Sequence, residues 1–258
     1  MICYIFLNTF LRSPNLFFLD NQENRISYIV RYVLFCSRYI GAKCIGLSEV
    51  FGAYNINKLS QEFSKYGYVL LVPNSNVYVG SGLAFAYNPN DFLVMSHKFV
   101  PYSTSCFPDN LANKGYFIVK LKLKYNSKYI YCIITHIQST YSLCRSICNT
   151  IQKKQLQELT NYIESLQKRN IGFVLMGDLN IQTNNSLLQI LKIKDLAYPS
   201  DITFHNFMMI HETLDYILTN IKNKSNTIVA NTMMKNYIGF VSKEVPFISD
   251  HFAIYRIL

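Results

Sequence analysis

The stretch Gly172-Phe173-Val174-Leu175-Met176-Gly177-Asp178-Leu179-Asn180 decides how this chain is read. Its apolar run, bounded upstream by Lys168-Arg169-Asn170, has the length and composition of a strand buried on both faces. Side chains two apart on an extended backbone share a face, so Asp178 and Asn180 project together from the strand's exit. Gly177, lacking a side chain, is expected to leave space there for a ligand beside the backbone. A carboxylate and an amide so placed can orient a water and a phosphate oxygen. Gly-Asp-x-Asn also forms ordinary turns, so the chemical reading depends on polar groups at other strand ends.

Working outward, Ile151, Gln155, Leu159, Ile163 and Leu166 recur at helical spacing and predict an amphipathic helix running into that strand. Ile2 to Leu7 reads as a buried strand delivering Asn8, and Lys43 to Ser48 as one ending at Glu49. Tyr129 to Ile134 leads to His136, Leu214 to Thr219 carries Asp215, and Phe252 to Leu258 follows Asp250-His251. Helices are predicted over Asp20 to Tyr39, Asn57 to Tyr66 and Asn184 to Ile193. Further strands are expected over Tyr68 to Val72, Gly82 to Tyr87, Leu93 to Tyr102 and Tyr116 to Leu123, with a hairpin over residues 225–242. Strands and helices interleave without repeat or linker, which predicts one α/β-type domain of layered sheets over residues 1–258.

A chain of 258 residues can bury roughly 70–75% of the surface its unfolded form exposes, and a 50% apolar content excludes a disordered chain. The net charge of +10 suits an anionic partner such as phosphate, nucleic acid or an acidic membrane surface. No block of like charges marks a nucleic-acid tail. Asn8, Arg12 and Arg31 interrupt the apolar runs, so none reaches the roughly 20 residues of a transmembrane helix. The apolar start lacks a basic leader and a small-residue cleavage site, and reads as a first strand, not a signal peptide. No Cys/His grouping has zinc-finger spacing, and the odd count of seven cysteines leaves at least one thiol free.

The segments Leu7-Asn8-Thr9, Ser48-Glu49-Val50, Thr135-His136-Ile137-Gln138, Gly177-Asp178-Leu179-Asn180, Leu214-Asp215-Tyr216 and Ser249-Asp250-His251 span almost the whole chain. In order and spacing they resemble the endonuclease/exonuclease/phosphatase superfamily. The resemblance implies a DNase I-like α/β (α+β) fold: a four-layer α/β/β/α sandwich of two packed, mainly antiparallel sheets flanked by helices. Cys106-Phe107-Pro108-Asp109-Asn110-Leu111-Ala112-Asn113-Lys114-Gly115 looks like a segment of neutral and bacterial sphingomyelinases C. Cys144 matches the cysteine that pairs with the Cys106 equivalent in the bacterial proteins, implying a Cys106–Cys144 disulfide. Such a bridge would suit a secreted or peripheral-membrane setting, and reduced thiols a cytoplasmic one. Tyr216 stands where inositol polyphosphate 5-phosphatases carry Arg. Ala53, Asn76-Val77-Tyr78-Val79-Gly80, Thr140 and Tyr141 depart from the bacterial pattern, and imply that a secondary edge metal site is lost.

The resemblance implies a Mg²⁺-dependent hydrolase that converts sphingomyelin to ceramide and phosphocholine. Glu49, Asn8 and Asp250 would hold the ion, with Mn²⁺ or Co²⁺ as substitutes. His251 is the expected general base, since an imidazole accepts a proton near neutral pH. Asp215 would orient it, Asp178 and Asn180 would position the water, and His136 would serve the phosphoryl oxygen or leaving group. Lys114 is the expected phosphate cation, and Asp109 with Lys114 a conformational pair. Tyr237, Ile238 and Phe240 are expected at a hairpin tip that enters a membrane surface. The partner is then a sphingolipid in a membrane, with peripheral membrane contact and no obligate protein partner. The alternatives are a DNA endonuclease or abasic-site nuclease of the same fold, or a phospholipase C acting on another sphingolipid head group.

Overall fold

In β8 (Phe173–Asp178) every residue is buried, and the strand serves two cores because successive side chains face opposite ways. Phe173 and Leu175 enter a cluster with Leu156, Leu159, Ile163 and Leu166 of α3 (Arg145–Lys168). Val174 and Met176 enter a different cluster, against Tyr4 and Phe6 of β1 (Cys3–Leu11). In β1 the complementary face, Cys3, Ile5 and Leu7, packs under α1 (Gln22–Ile40) and α2 (Ala53–Ser64). The order of layers follows: helices, sheet, sheet, helix. This computed structural model describes residues 2–11, 22–74, 80–193, 199, 201–205, 211–222, 227–229 and 248–258.

The first sheet adds β2 (Ala42–Val50), β3 (Val69–Leu71), β4 (Ala84–Tyr87), β12 (Ile228–Val229) and β13 (Ile254–Ile257) to β1, in the order β12-β13-β1-β2-β4-β3. The second has the order β11-β8-β7-β6-β5, built with β5 (Phe92–Pro101), β6 (Gly115–Leu123), β7 (Tyr129–His136) and β11 (Asp215–Thr219). Both sheets are mixed: β1 with β2 and β7 with β8 run parallel, and the other pairs run antiparallel. A short ribbon joins β9 (Phe204–His205) to β10 (His211–Glu212), which no periodicity predicts. The helix expected over Asn184 to Ile193 is a 3-10 turn, Ser186–Leu191, capped by the Asn185 side chain on Leu187 N–H. Tyr237, Ile238 and Phe240 lie outside the described residues.

Topology brings the polar strand ends together. β1, β2, β7 and β8 share a direction in parallel pairs, so Asn8, Glu49, His136 and Asp178 leave at one end. β11 runs antiparallel to β8 and β13 antiparallel to β1, so their beginnings lie beside those exits. Within the second sheet His136 pairs with Asp178, and Asp178 with Asp215.

Candidate active site

Asp178 is the centre. Its Oδ2 accepts from Asn8 Nδ2 at 3.0 Å and lies 3.8 Å from His136 Nε2 and 3.7 Å from His251 Nε2. Its Oδ1 accepts the Asn180 N–H at 2.9 Å, the turn that Gly-Asp-x-Asn forms elsewhere, here serving the site. Asn8 Nδ2 also donates to Glu49 Oε1 at 2.9 Å, while its own Oδ1 accepts Phe10 N–H. Asn8 thus clamps the two carboxylates at a fixed spacing. Ligand atoms of Glu49, His136 and Asp178 all lie within 4.8 Å of one another. Glu49 and Asn180 hold left-handed φ values of 55° and 51°, a conformation that costs of order 1 kcal/mol or more in a non-glycine residue.

The two histidines are in opposite electrostatic states. His251 Nδ1 sits 2.8 Å from Asp215 Oδ2. Burial alone would lower its pKa, but Asp215, then Asp178 and Asp250, outweigh it and push His251 up to about 10. Burial holds His136 well below the usual 6.5, helped by the charges of Lys114 and His251. Neither ring nitrogen of His136 has a hydrogen-bond partner among the described residues. At neutral pH, His251 is therefore an imidazolium and His136 a neutral imidazole. Burial and the neighbouring Asp215 push Asp178 up to about 7, against the pull of His251 and the bonds from Asn8 and Asn180.

Lys114 is buried, donates to Ile137 O at 3.2 Å and lies 3.5 Å from Asp109. Asp109 and Lys114 are thus in contact. Asp109 also accepts Ser139 N–H at 2.7 Å and the Tyr141 hydroxyl at 2.9 Å. Tyr141, a departure from the bacterial pattern, supplies a neutral donor to that carboxylate. The Asn180 amide donates to Ile137 O at 3.1 Å, tying the loop after His136 to the one after Asp178. Asp250 is half-buried beside His251, with Oδ1 3.5 Å from Ser249 Oγ, and stands outside the Glu49–His136–Asp178 group.

Two sequence expectations need correction. Gly177 leaves no ligand space: a Cβ there would meet Thr135 O at 2.5 Å and Thr135 Cγ2 at 2.7 Å. The glycine lets β8 approach β7, and that approach sets the His136–Asp178 pair. Cys106 and Cys144 form no disulfide, since all seven cysteines are free thiols. Cys148, one helical turn after Cys144, contacts both, 3.2 Å from Cys144 Sγ and 3.8 Å from Cys106 Sγ. These separations are far beyond the ~2.05 Å of an S–S bond.

Sequence reasoning also missed residues that hold the site. Arg25 is fully buried and donates to Thr9 O at 2.8 Å, Phe10 O at 3.1 Å and Ile248 O at 2.7 Å. It joins α1 to the segments carrying Asn8 and Asp250; an Arg in the run Ile26, Ile29, Val30, Val33 is the signal that was available. Thr203 Oγ1 accepts from the N–H groups of Leu214 and Asp215, and the Phe204 ring packs against the His251 ring at a 52° tilt, centroids 4.8 Å apart. Nothing in the local pattern marks those two.

No family model matches the chain. A stretch of 87 residues is 33% identical to sphingomyelinase C of Bacillus cereus, covering 33% of this chain and 26% of that protein. Over 98% of both chains the structure superposes on sphingomyelinase C from Streptomyces griseocarneus, with TM-score 0.71 and 16% identity. The chain has a DNase I-like fold. A mutant beta toxin from Staphylococcus aureus with bound magnesium ions shares it, with TM-score 0.76, 21% identity and 98% of each chain covered. So does an endonuclease/exonuclease/phosphatase from Bacteroides vulgatus, with TM-score 0.72, 14% identity and coverage of 98% and 97%. Within this fold, the site occupies one end of the paired sheets.

Proposed function

We propose that this chain is a Mg²⁺-dependent phosphodiesterase that hydrolyses sphingomyelin to ceramide and phosphocholine, with residues 1–258 acting as one catalytic domain. The observation that carries the reading is the arrangement around Asp178: two histidines of opposite protonation, one oriented by Asp215, beside a clamped Glu49. That donor set fits a hard divalent cation, because two carboxylate oxygens adjoin a neutral imidazole with unpartnered nitrogens. Glu49 and Asp178 would hold the ion, with Asn8 fixing their spacing. Bound there, Mg²⁺ would polarise a phosphoryl oxygen, and its positive charge beside Asp178 would favour the neutral form of His251.

The remaining roles belong to the chain's own groups. Asp215 fixes His251 through Nδ1 and turns Nε2 toward Asp178. Neutral His251 takes the proton of the water that attacks phosphorus, and its imidazolium form is favoured by Asp215 as it appears. The P–O bond to ceramide breaks, and the departing oxygen needs a proton. Neutral His136 donates a hydrogen bond, from whichever ring nitrogen carries hydrogen, to that oxygen or to a phosphoryl oxygen, and the proton itself comes from solvent. Lys114 adds positive charge beside His136, and Asn180 holds the loop that bounds the site.

A lipid substrate is favoured over nucleic acid by the rim. Phe107 is 71% exposed, Leu111 43%, Leu143 100% and Ile147 59%. Phe107 and Leu111 flank Asp109, which is tied to Ser139 and Lys114, while Leu143 and Ile147 flank the thiols that touch Cys106. Exposed apolar side chains on the segment that carries Asp109 and at the start of α3 suit a membrane surface. The second reading, a DNA endonuclease, draws on the +10 charge. Sphingomyelin vesicles, a short-chain soluble analogue, plasmid DNA and inositol phosphates, each with and without Mg²⁺, separate the two. Hydrolysis of sphingomyelin above all others is expected, and the double variant Leu143→Asp/Ile147→Asp should lose at least about tenfold on vesicles and little on the soluble analogue. DNA cleavage above any lipid rate would overturn the proposal.

A further inference from the structure

The thiols of Cys106, Cys144 and Cys148 form a group apart from the catalytic residues, with all three Sγ atoms within 4.8 Å of one another. Cys106 comes from the loop after β5, Cys144 caps the N-terminus of α3, and Cys148 lies one turn inside it. Three thiols from two segments, the loop after β5 and the start of α3, converge on one volume that a small apolar side chain would fill equally well. We propose that they are the ligands of a soft or borderline metal ion, Zn²⁺ being the expected occupant.

Geometry supports this. A Zn–S bond of about 2.3 Å in a tetrahedral site sets sulfur atoms about 3.8 Å apart. The observed contacts are 3.2 Å for Cys144–Cys148 and 3.8 Å for Cys106–Cys148. With all three Sγ atoms within 4.8 Å of one another, side-chain rotations can complete a three-sulfur face. Cys148 is buried while Cys106 and Cys144 are half-exposed, so the group has an inner anchor and an open side from which an ion enters and where water completes the coordination. Each Sγ–H gives its proton to solvent as the metal–sulfur bond forms. The N-terminus of a 24-residue helix favours the negative charge that results.

Occupancy would have a structural consequence. Cys106 N–H donates to Gln138 Oε1 at 3.0 Å, and Gln152 of α3 donates to Gln138 O at 2.9 Å. A metal bridging Cys106 to α3 would lock together the loop bearing Asp109 and Lys114, the segment after His136, and the helix behind them.

The test uses the full chain, reduced with a phosphine, freed of metal with chelator and titrated with Co²⁺ as a spectroscopic stand-in for Zn²⁺. Expected are a thiolate-to-cobalt charge-transfer band saturating at one equivalent, its displacement by Zn²⁺, and a rise in melting temperature with Zn²⁺. Cys144→Ser and Cys106→Ser, both at half-exposed positions, should each lose the band and most of that rise while remaining folded by circular dichroism. Glu49→Gln should keep the band, which separates this site from the catalytic one and from the fate of the sphingomyelinase reading. A wild type with no charge-transfer band, or single serine variants with an undiminished one, would overturn the proposal. So would peptide mapping that finds Cys106 and Cys144 bridged in protein isolated without reductant.

Discussion

Replacing Asp215 by Asn tests the electrostatic logic of the site, because it removes one charge and keeps the shape. The carboxylate lies 2.8 Å from His251 Nδ1, and both groups are almost wholly buried. His251 is displaced from 6.5 to about 10, which corresponds to about 5 kcal/mol of preference for the imidazolium in the folded chain. Asp178 and Asp250 hold part of that and burial opposes it, so removing Asp215 should lower the His251 midpoint by about 2 pH units, or ~3 kcal/mol. Because the folded pKa is the higher one, the contribution is present in full below about 6.5 and is lost as pH rises through about 10. Metal-free wild type should therefore exceed Asp215→Asn in urea stability by about 3 kcal/mol near pH 6, with the gap closing toward pH 10. Imidazole ¹⁵N shifts would follow the His251 midpoint directly. A gap that stays constant over this range, or a midpoint unmoved in the variant, would refute the claim that Asp215 holds the proton on His251.

Other outcomes follow from the same geometry. Glu49→Gln retains the Asn8 contact but loses the charge that would hold a cation, so hydrolysis should fall by about 100-fold or more with thermal stability nearly unchanged; the activity of wild type should vanish in EDTA and return with Mg²⁺. Gly177→Ala drives a Cβ to 2.5 Å from Thr135 O, so β7 and β8 must part, at a cost of about 1–3 kcal/mol in urea unfolding. The same variant should lower kcat, since His136 and Asp178 are register partners there; unchanged stability and kcat would show that the strands tolerate the methyl group.

Much of this protein was legible in one dimension. Strand and helix periods are set locally, by the alternation in Phe173-Val174-Leu175-Met176 or the spacing of Ile151, Leu159, Ile163 and Leu166, so the elements and their order could be read directly. A polar residue ending an apolar run is also a local fact, which is why Asn8, Glu49, His136, Asp178, Asp215 and His251 stood out. The convergence of these six depends on parallel pairing of β1 with β2 and β7 with β8, and on antiparallel returns by β11 and β13. The charge on each histidine is not a property of histidine: Asp215 contacts one, Lys114 and burial act on the other. Gly177 read as room for a ligand until the neighbouring strand occupied that room, and Cys106 read as the partner of Cys144 until the helix placed Cys148 against both. Short-range patterns specify which chemistry stands at which strand end, whereas distances between residues far apart in the chain, and the dielectric around them, exist only once the sheets have packed.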